Sequence, residues 1–277
     1  MNLWRAILLG VVQGVAEFLP ISSSGHLAVL QKLFHVSAPG ENDLFFDVVL
    51  HLGTLVAVLL VYRKDLASIV RSVPAVFHRG NKQKGPTQAA LSFRLLGLLL
   101  IATAPLVIAY FCKPFIERLY SDTFFIAAAF VATGLILFFS DRYASGEKKL
   151  KETSASDAVV IGFAQMLAVV PGPSRSGTTI AAGLSCGLTR PFAVKFSFLL
   201  SVPAILGALV ASLPDAISAG PQAALVPAYI AGFLTSGVVG YFSIRFLNRI
   251  AHIGSFGGFA YYCWGAGILT FILSLIA

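Results

Sequence analysis

The chain has 277 residues, of which 57% are hydrophobic and only 12% charged, with 25 glycines and a mean hydropathy of +0.85. A soluble domain carries about twice that charge, and a soluble fold of this composition would expose large apolar patches; disorder fails for the opposite reason, too little charge and too much apolar surface. The formal charge of +8 lacks the basic stripe with interleaved aromatics that nucleic acid needs, so no nucleic-acid partner is expected, and the excess of Lys and Arg reads as positive-inside sorting in an all-α polytopic membrane protein.

The first apolar stretch, Leu3 to Leu33, is interrupted at Leu19-Pro20-Ile21-Ser22-Ser23-Ser24-Gly25-His26. Its first half is not read as a signal peptide, because Gln13 and Glu17 fall inside the apolar region and Pro20 follows without a small-residue cleavage site. Leu44 to Tyr62 is long enough to cross a bilayer. A basic segment follows, with Arg63, Lys64, Arg71, Arg79, Lys82, Lys84 and Arg94, read as a loop. Ala89 to Phe111 and Thr123 to Ser140 are two further spans, and Asp141 to Asp157 is a second basic loop. Ala158 to Leu188 is interrupted again, at Pro171-Gly172-Pro173-Ser174-Arg175-Ser176-Gly177-Thr178-Thr179. Phe192 to Leu213, Leu225 to Ile244 and Phe256 to Ala277 complete six spans. The halves of the two interrupted stretches are too short to cross. Proline and glycine stop one half-helix and serines start the next, so each reads as a re-entrant helical hairpin.

Charge tests this arrangement. With both interrupted stretches turning back, fifteen Lys and Arg fall on one face and four, Arg5, Lys32, Lys113 and Arg118, on the other. Positive-inside sorting then places both termini outside, the first hairpin entering from outside and the second from the cytoplasm. Cys112, Cys186 and Cys263 have neither metal-ligand nor disulfide spacing.

The two hairpins match at an offset of 152: Gly10 with Gly162, Gln13 with Gln165, Ala16 with Ala168, Ser22 with Ser174, Ser24 with Ser176 and Gly25 with Gly177. Each would be followed by three spans, an odd number, so the second copy is expected upside down. The chain reads as one integral membrane domain over 1–277, with repeat one about 1–140 and repeat two about 153–277. Inverted repeats with broken helices place their site where the breaks meet, near the midplane.

Ionisable groups at membrane depth are functional candidates by default. The first break brings Glu17 and His26, with Gln13 one turn before Glu17 on the same face; the second brings Arg175. Hydroxyls of Ser22, Ser23, Ser24, Ser174, Ser176, Thr178 and Thr179 surround them. Free N–H groups are expected at half-helix starts following Ser24-Gly25 and Ser176-Gly177. Helix N-termini with an arginine make a phosphate site, Glu17 and Gln13 offer oxygens for a hard divalent cation, and His26 can move a proton near neutral pH. His51, inside a span, reads as a packing histidine, and a Glu17–Arg175 ion pair of purely structural role is an alternative reading.

The segment Gln13-Gly14-Val15-Ala16-Glu17-Phe18-Leu19-Pro20-Ile21-Ser22-Ser23-Ser24-Gly25-His26 resembles the first signature of the undecaprenyl-diphosphatases of the bacitracin-resistance type, (Glu or Gln)-x-x-x-Glu with a serine-rich turn and a histidine. Pro171 to Thr179 resembles their second, Pro-Gly-x-Ser-Arg-Ser-x-x-Thr. Leu50-His51-Leu52-Gly53-Thr54-Leu55 and Phe196 to Pro203 are similar to further family segments. The resemblance implies hydrolysis of undecaprenyl diphosphate to undecaprenyl phosphate and phosphate, recycling of the lipid carrier for peptidoglycan synthesis, and bacitracin resistance. It also implies dependence on Mg²⁺ or Ca²⁺, and a site open to the outer face of the bacterial plasma membrane. Glu17, Ser23, His26 and Arg175 are the expected catalytic residues, Ser22, Ser24, Gly25, Ser174, Ser176, Gly177 and Thr178 the substrate-binding ones, and Glu17 with Gln13 the metal ligands.

Ser23, His26 or an activated water could each be the nucleophile. Replacing Arg175 with alanine is expected to lower the rate by orders of magnitude while leaving folding intact. From the residues alone, a prenyl-phosphate flippase or a secondary transporter with an inverted-repeat fold remains a rival, since that architecture is common among transporters. The sequence does not set the oligomeric state; a homodimer is one assembly that it allows.

Overall fold

The computed structural model describes residues 2–33, 43–77, 87–120, 122–143, 146–219 and 222–276. Arg79, Lys82, Lys84 and Ala277 of the sequence reading lie outside them. Thirteen α-helices make up the described chain: α1 (Leu3–Ala16), α2 (Ser23–Leu33), α3 (Asp43–Val61), α4 (Arg63–Phe77), α5 (Gln88–Thr103), α6 (Leu106–Phe111), α7 (Lys113–Leu119), α8 (Thr123–Tyr143), α9 (Ala155–Leu167), α10 (Arg175–Ser185), α11 (Arg190–Ala219), α12 (Val226–Ile253) and α13 (Gly257–Ile276). No strand occurs among the described residues; the loop before α9 and the turn after α10 touch in a single bridge, Lys148 with Leu188.

Five helical segments are long and apolar enough to cross a membrane: α5 with α6 (Gln88–Phe111), α8, α11, α12 and α13. A sixth, α3, qualifies together with α4, from which it is bent by 78°. All six correspond to spans expected from the sequence. The protein is a multi-pass membrane protein, and its outward-facing Leu100, Ile230, Leu234, Val238, Phe242 and Phe246 suit a lipid surround.

The described part of the basic stretch after the first span is helical, where the sequence reading expects a loop. Arg63 and Lys64 open α4, whose polar and apolar residues segregate to opposite faces, and Arg94 sits on α5. Arg245 and Arg249 lie toward the end of α12, which runs past the expected end of its span. Charged residues continue a helix readily once it has left the hydrocarbon, so hydropathy marks the end of the span and not of the helix.

The two interrupted stretches are broken as expected. Helices α1 and α9 have 14 and 13 residues, about 20 Å of rise each, against about 30 Å of hydrocarbon. Each packs on the helix that follows its break, and each also packs on the second span of the opposite half: α1 on α12, α9 on α5. The first spans α3 and α11 pack together, as do the third spans α8 and α13.

Small residues make these crossings close. A Cβ on Gly10 would sit 2.9 Å from the carbonyl oxygen of Gly232, and one on Gly14 would sit 2.8 Å from Gly240 N and Ser236 O. Gly10-x-x-x-Gly14 on α1 thus meets Gly232-x-x-x-Ser236-x-x-x-Gly240 on α12, backbone against backbone, as membrane helices without a hydrophobic driving force require. Gly162 on α9 meets Ala102 O of α5 at 2.6 Å in the same sense. The obstructing atoms at Gly14 are two main-chain atoms and the Cβ of Val239, which is fixed to the main chain, so none can rotate away. Gly14→Ala should therefore cost about 2 kcal/mol of stability, read as a lower unfolding temperature in detergent; an unchanged temperature would mean the crossing is looser than this.

Candidate active site

The first break is held by its own side chains. Phe18, fully buried, packs edge-on against Phe198 of α11 with ring centroids 5.6 Å apart. Ser22 takes φ +72, the one non-glycine residue with positive φ among those described. Such a backbone costs about 1–3 kcal/mol and collects at functional sites. Its hydroxyl accepts from Gly25 N (3.2 Å) and its carbonyl from His26 N (3.3 Å), so Ser22 caps α2. In the second break, Ser174 caps α10 by accepting from Gly177 N (3.1 Å). Here the structure corrects the sequence reading: the half-helices start at Ser23 and Arg175, not after Gly25 and Gly177. The reason is that a serine oxygen satisfies an orphan N–H that a glycine cannot. The N–H groups of Gly25 and Gly177 are consumed by the caps, and those of Ser23, Ser24, Arg175 and Ser176 have no hydrogen-bond partner among the described residues.

The breaks meet. Ser24 Oγ accepts from Gly172 N (3.3 Å), Ser176 Oγ donates to Leu19 O (3.2 Å), and a Cβ on Gly177 would touch Pro20. At the centre, Arg175 Nη2 donates to Glu17 Oε1 at 2.5 Å. Glu17 Oε2 accepts from Ser23 Oγ (2.7 Å) and from Gln13 Nε2 (3.2 Å). The pair is largely enclosed, with side chains 16% and 7% exposed. Two polar atoms beside it, Arg175 Nη1 and Gln13 Oε1, are buried without a hydrogen-bond partner among the described residues. Such orphans are costly in an interior, and here one is a cationic donor and the other a neutral oxygen.

His26 is held on both sides. Its Nδ1–H donates to Ser22 O (2.6 Å), which leaves Nε2 to accept from the Tyr262 hydroxyl of α13 (2.8 Å). Tyr262 also stacks on the imidazole, 5.7 Å between centroids. The remaining hydroxyls are committed locally. Ser174 and Ser176 are buried and share a 3.2 Å contact, Thr178 donates to Ser174 O (2.8 Å), and Thr179 meets Ser197 of α11 (2.6 Å).

Two residues near the centre were not assigned a role by the sequence. His51 was read as a packing side chain, yet its Nε2 lies 3.9 Å from Glu17 Oε2 while Nδ1 is bonded to Asp47 O (2.8 Å). Tyr262 carries no local signal at all, being one aromatic among many in a span. His51 had one, since it lies in Leu50 to Leu55, a segment already similar to the family. The similar segment Phe196 to Pro203 also gains a meaning: Phe198 seats the first break and Ser197 the second.

The family model described as Bacitracin resistance protein BacA matches residues 6–269. The chain belongs to that family. Among curated BacA-type relatives, the undecaprenyl-diphosphatase of Carboxydothermus hydrogenoformans is 40% identical over 99% of this chain and 98% of its own length. That of Methanosphaera stadtmanae is 37% identical over 100% and 99%, and that of Methanobrevibacter smithii 40% over 99% of both. The similarity runs end to end, and both breaks fall inside the region that the BacA model matches.

Proposed function

We propose that this chain hydrolyses undecaprenyl diphosphate to undecaprenyl phosphate and inorganic phosphate, recycling the lipid carrier of cell-wall synthesis and thereby conferring bacitracin resistance. The observation that carries the reading is the Ser23–Glu17–Arg175 contact at the meeting of the two breaks: a hydroxyl, a carboxylate that accepts its proton, and a guanidinium with one free buried donor. An anion carrier needs the arginine but not a hydroxyl aimed at a carboxylate, which favours hydrolysis over the flippase or transporter reading.

In this reading Arg175 Nη1 and the free N–H groups of Ser23, Ser24, Arg175 and Ser176 hold the terminal phosphoryl group. Ser22, Ser174, Ser176 and Thr178, with Gly25 and Gly177, set the positions of those donors. Ser23 Oγ attacks the terminal phosphorus, its proton passing to Glu17 Oε2, and the bond to the bridging oxygen breaks with its electron pair leaving on undecaprenyl phosphate. Water then attacks the phosphoserine and gives a proton to His26 Nε2 once Tyr262 has moved aside. Glu17 returns its proton to Ser23 Oγ as phosphate departs, and His26 releases the proton it took from water to solvent, which restores the starting state. Phosphoryl transfer asks mainly for this positioning and charge neutralisation. His51 steadies Glu17.

A divalent cation fits the donor set. Glu17 and the orphan amide oxygen of Gln13 would hold Mg²⁺ or Ca²⁺, which supplies further neutralisation of the diphosphate. In this structure the Gln13 amide turns its Nε2 toward Glu17 Oε2 at 3.2 Å, so holding the ion would require the amide to rotate its unpartnered oxygen toward the carboxylate. EDTA should abolish phosphate release from a detergent-solubilised prenyl diphosphate, with Mg²⁺ or Ca²⁺ restoring it. Gln13→Glu should lower the cation concentration for half-activity about ten-fold, because a charged oxygen replaces a neutral one. Failure of the folded protein to release phosphate with either cation would defeat the hydrolytic reading.

The exchange of partners between halves, α1 on α12 and α9 on α5, supports an inverted repeat. Arg63 and Lys64 follow the C-terminal end of α3, whereas its other end begins at Asp43 and His51 stands at mid-helix; positive-inside sorting makes the Asp43 end the outer one, which supports a site open to the outer face of the bacterial plasma membrane.

A further inference from the structure

Away from the breaks, at the basic end of the molecule, α4 and the start of α5 form an open groove of about 620 Å³ lined by Arg63, Lys64, Ser68, Arg71 and Ser72 of α4 and by Ala89 in the first turn of α5. Arg63, Lys64 and Arg71 are exposed and have neither ion-pair nor hydrogen-bond partners among the described residues. The one acid of the first turn, Asp65, is occupied by Lys195 of α11 at 2.6 Å. The start of α5, where Thr87 accepts from Ala90 N (3.4 Å), turns the positive end of a 16-residue helix toward the same space. The walls are fixed, since the Ser68 and Ser92 hydroxyls join α4 to α5 at 2.6 Å.

The depth of this groove points to its occupant. The span α3 ends at Val61, and α4 begins two residues later at 78° to it, so α4 runs along the membrane surface. That direction would set its cations at the level of lipid phosphates. Val70, seven residues after Arg63, and Val73 one turn further border the cationic row and are 70% and 37% exposed, placed to enter the acyl boundary as interfacial helices do. We propose that this groove binds the headgroup of an anionic phospholipid of the leaflet facing the basic end. Three unpaired cations with a helix N-terminus match a phosphodiester, and a zwitterionic headgroup would bring a cation of its own into the same space. The proposal does not depend on the hydrolytic reading.

The test is native mass spectrometry of the purified full chain in detergent with added phosphatidylglycerol or phosphatidylcholine. Phosphatidylglycerol should be retained in preference. The triple variant Arg63→Gln, Lys64→Gln, Arg71→Gln should bind it about 100-fold more weakly, since each basic residue near the surface is worth about five-fold. The control Arg245→Gln, Arg249→Gln removes as many charges as two of these from α12, outside the groove, and should bind normally. Equal loss in both variants would mean diffuse surface attraction and overturn the site, as would unchanged binding in the triple variant. Displacement of phosphatidylglycerol by millimolar inorganic phosphate would make it a free-anion site and overturn the lipid assignment. Melting in phosphatidylcholine checks the fold; should the triple variant fail it, Arg71→Gln alone should show about a five-fold loss.

Discussion

Arg175→Ala is expected to lower phosphate release by about 10³-fold or more, the scale set by arginines that neutralise a transferring phosphoryl group. The structure alters the other half of the expectation. The sequence suggested that folding would be untouched, but Arg175 is the direct partner of a Glu17 that is only 7% exposed. Removing one member of such a pair leaves an uncompensated buried charge, at a cost of about 3–5 kcal/mol. The variant should therefore melt at a lower temperature as well as lose activity. Replacing both members, Glu17→Gln with Arg175→Met, removes the stranded charge and should recover much of the stability with none of the activity. That combination separates a chemical role from a structural one: the ion pair as mere scaffold would predict activity returning with stability. An alanine variant that is folded and retains more than a tenth of the wild-type turnover would remove Arg175 from the reaction.

Ser23→Ala should be equally severe, by about 10³-fold, and milder than Arg175→Ala in stability. Ser23 is half-buried and loses one hydrogen bond, to Glu17 Oε2 at 2.7 Å, worth about 2 kcal/mol as a bond to a charged group. The decisive measurement is mass spectrometry of wild-type protein quenched during turnover. A phosphoryl group should be found on Ser23 and be absent from Ser23→Ala. Full turnover by Ser23→Ala would mean that water attacks the diphosphate directly with His26 as its base. The neighbouring Ser22→Ala separates the two serines. It should chiefly destabilise the break, because Ser22 Oγ caps α2 and its main chain holds the strained φ.

Gln13 and Gln165 show how far the repeat could be read. They match at the offset of 152, and both are buried with an amide oxygen that has no partner among the described residues. The sequence placed them in equivalent positions, but only the surroundings distinguish them. Gln13 Nε2 reaches the Glu17 carboxylate, whereas Gln165 Nε2 donates to Ala102 O of α5 (3.3 Å), and Ala168-Val169 stand where the first repeat has Ala16-Glu17. Only one of the two glutamines therefore lies against a carboxylate. Tyr262 marks the opposite limit. It lies 236 residues from His26, and nothing in a run of span aromatics marks one of them as a hydrogen-bond donor to a histidine.

What the sequence determined by itself is what hydrophobicity and local backbone chemistry govern: six spans, two broken stretches, and Glu17, His26 and Arg175 inside them. These follow from single segments, since about twenty apolar residues must be helical in lipid and a proline or serine ends or starts a helix wherever it stands. The tertiary structure alone decided that Glu17 grips Arg175, that Ser23 faces Glu17, and that His51 and Tyr262 join them. Those contacts are set by how closely Gly10, Gly14 and Gly162 let helices of opposite halves approach. A close approach is a property of two surfaces at once, and no single stretch of sequence carries it.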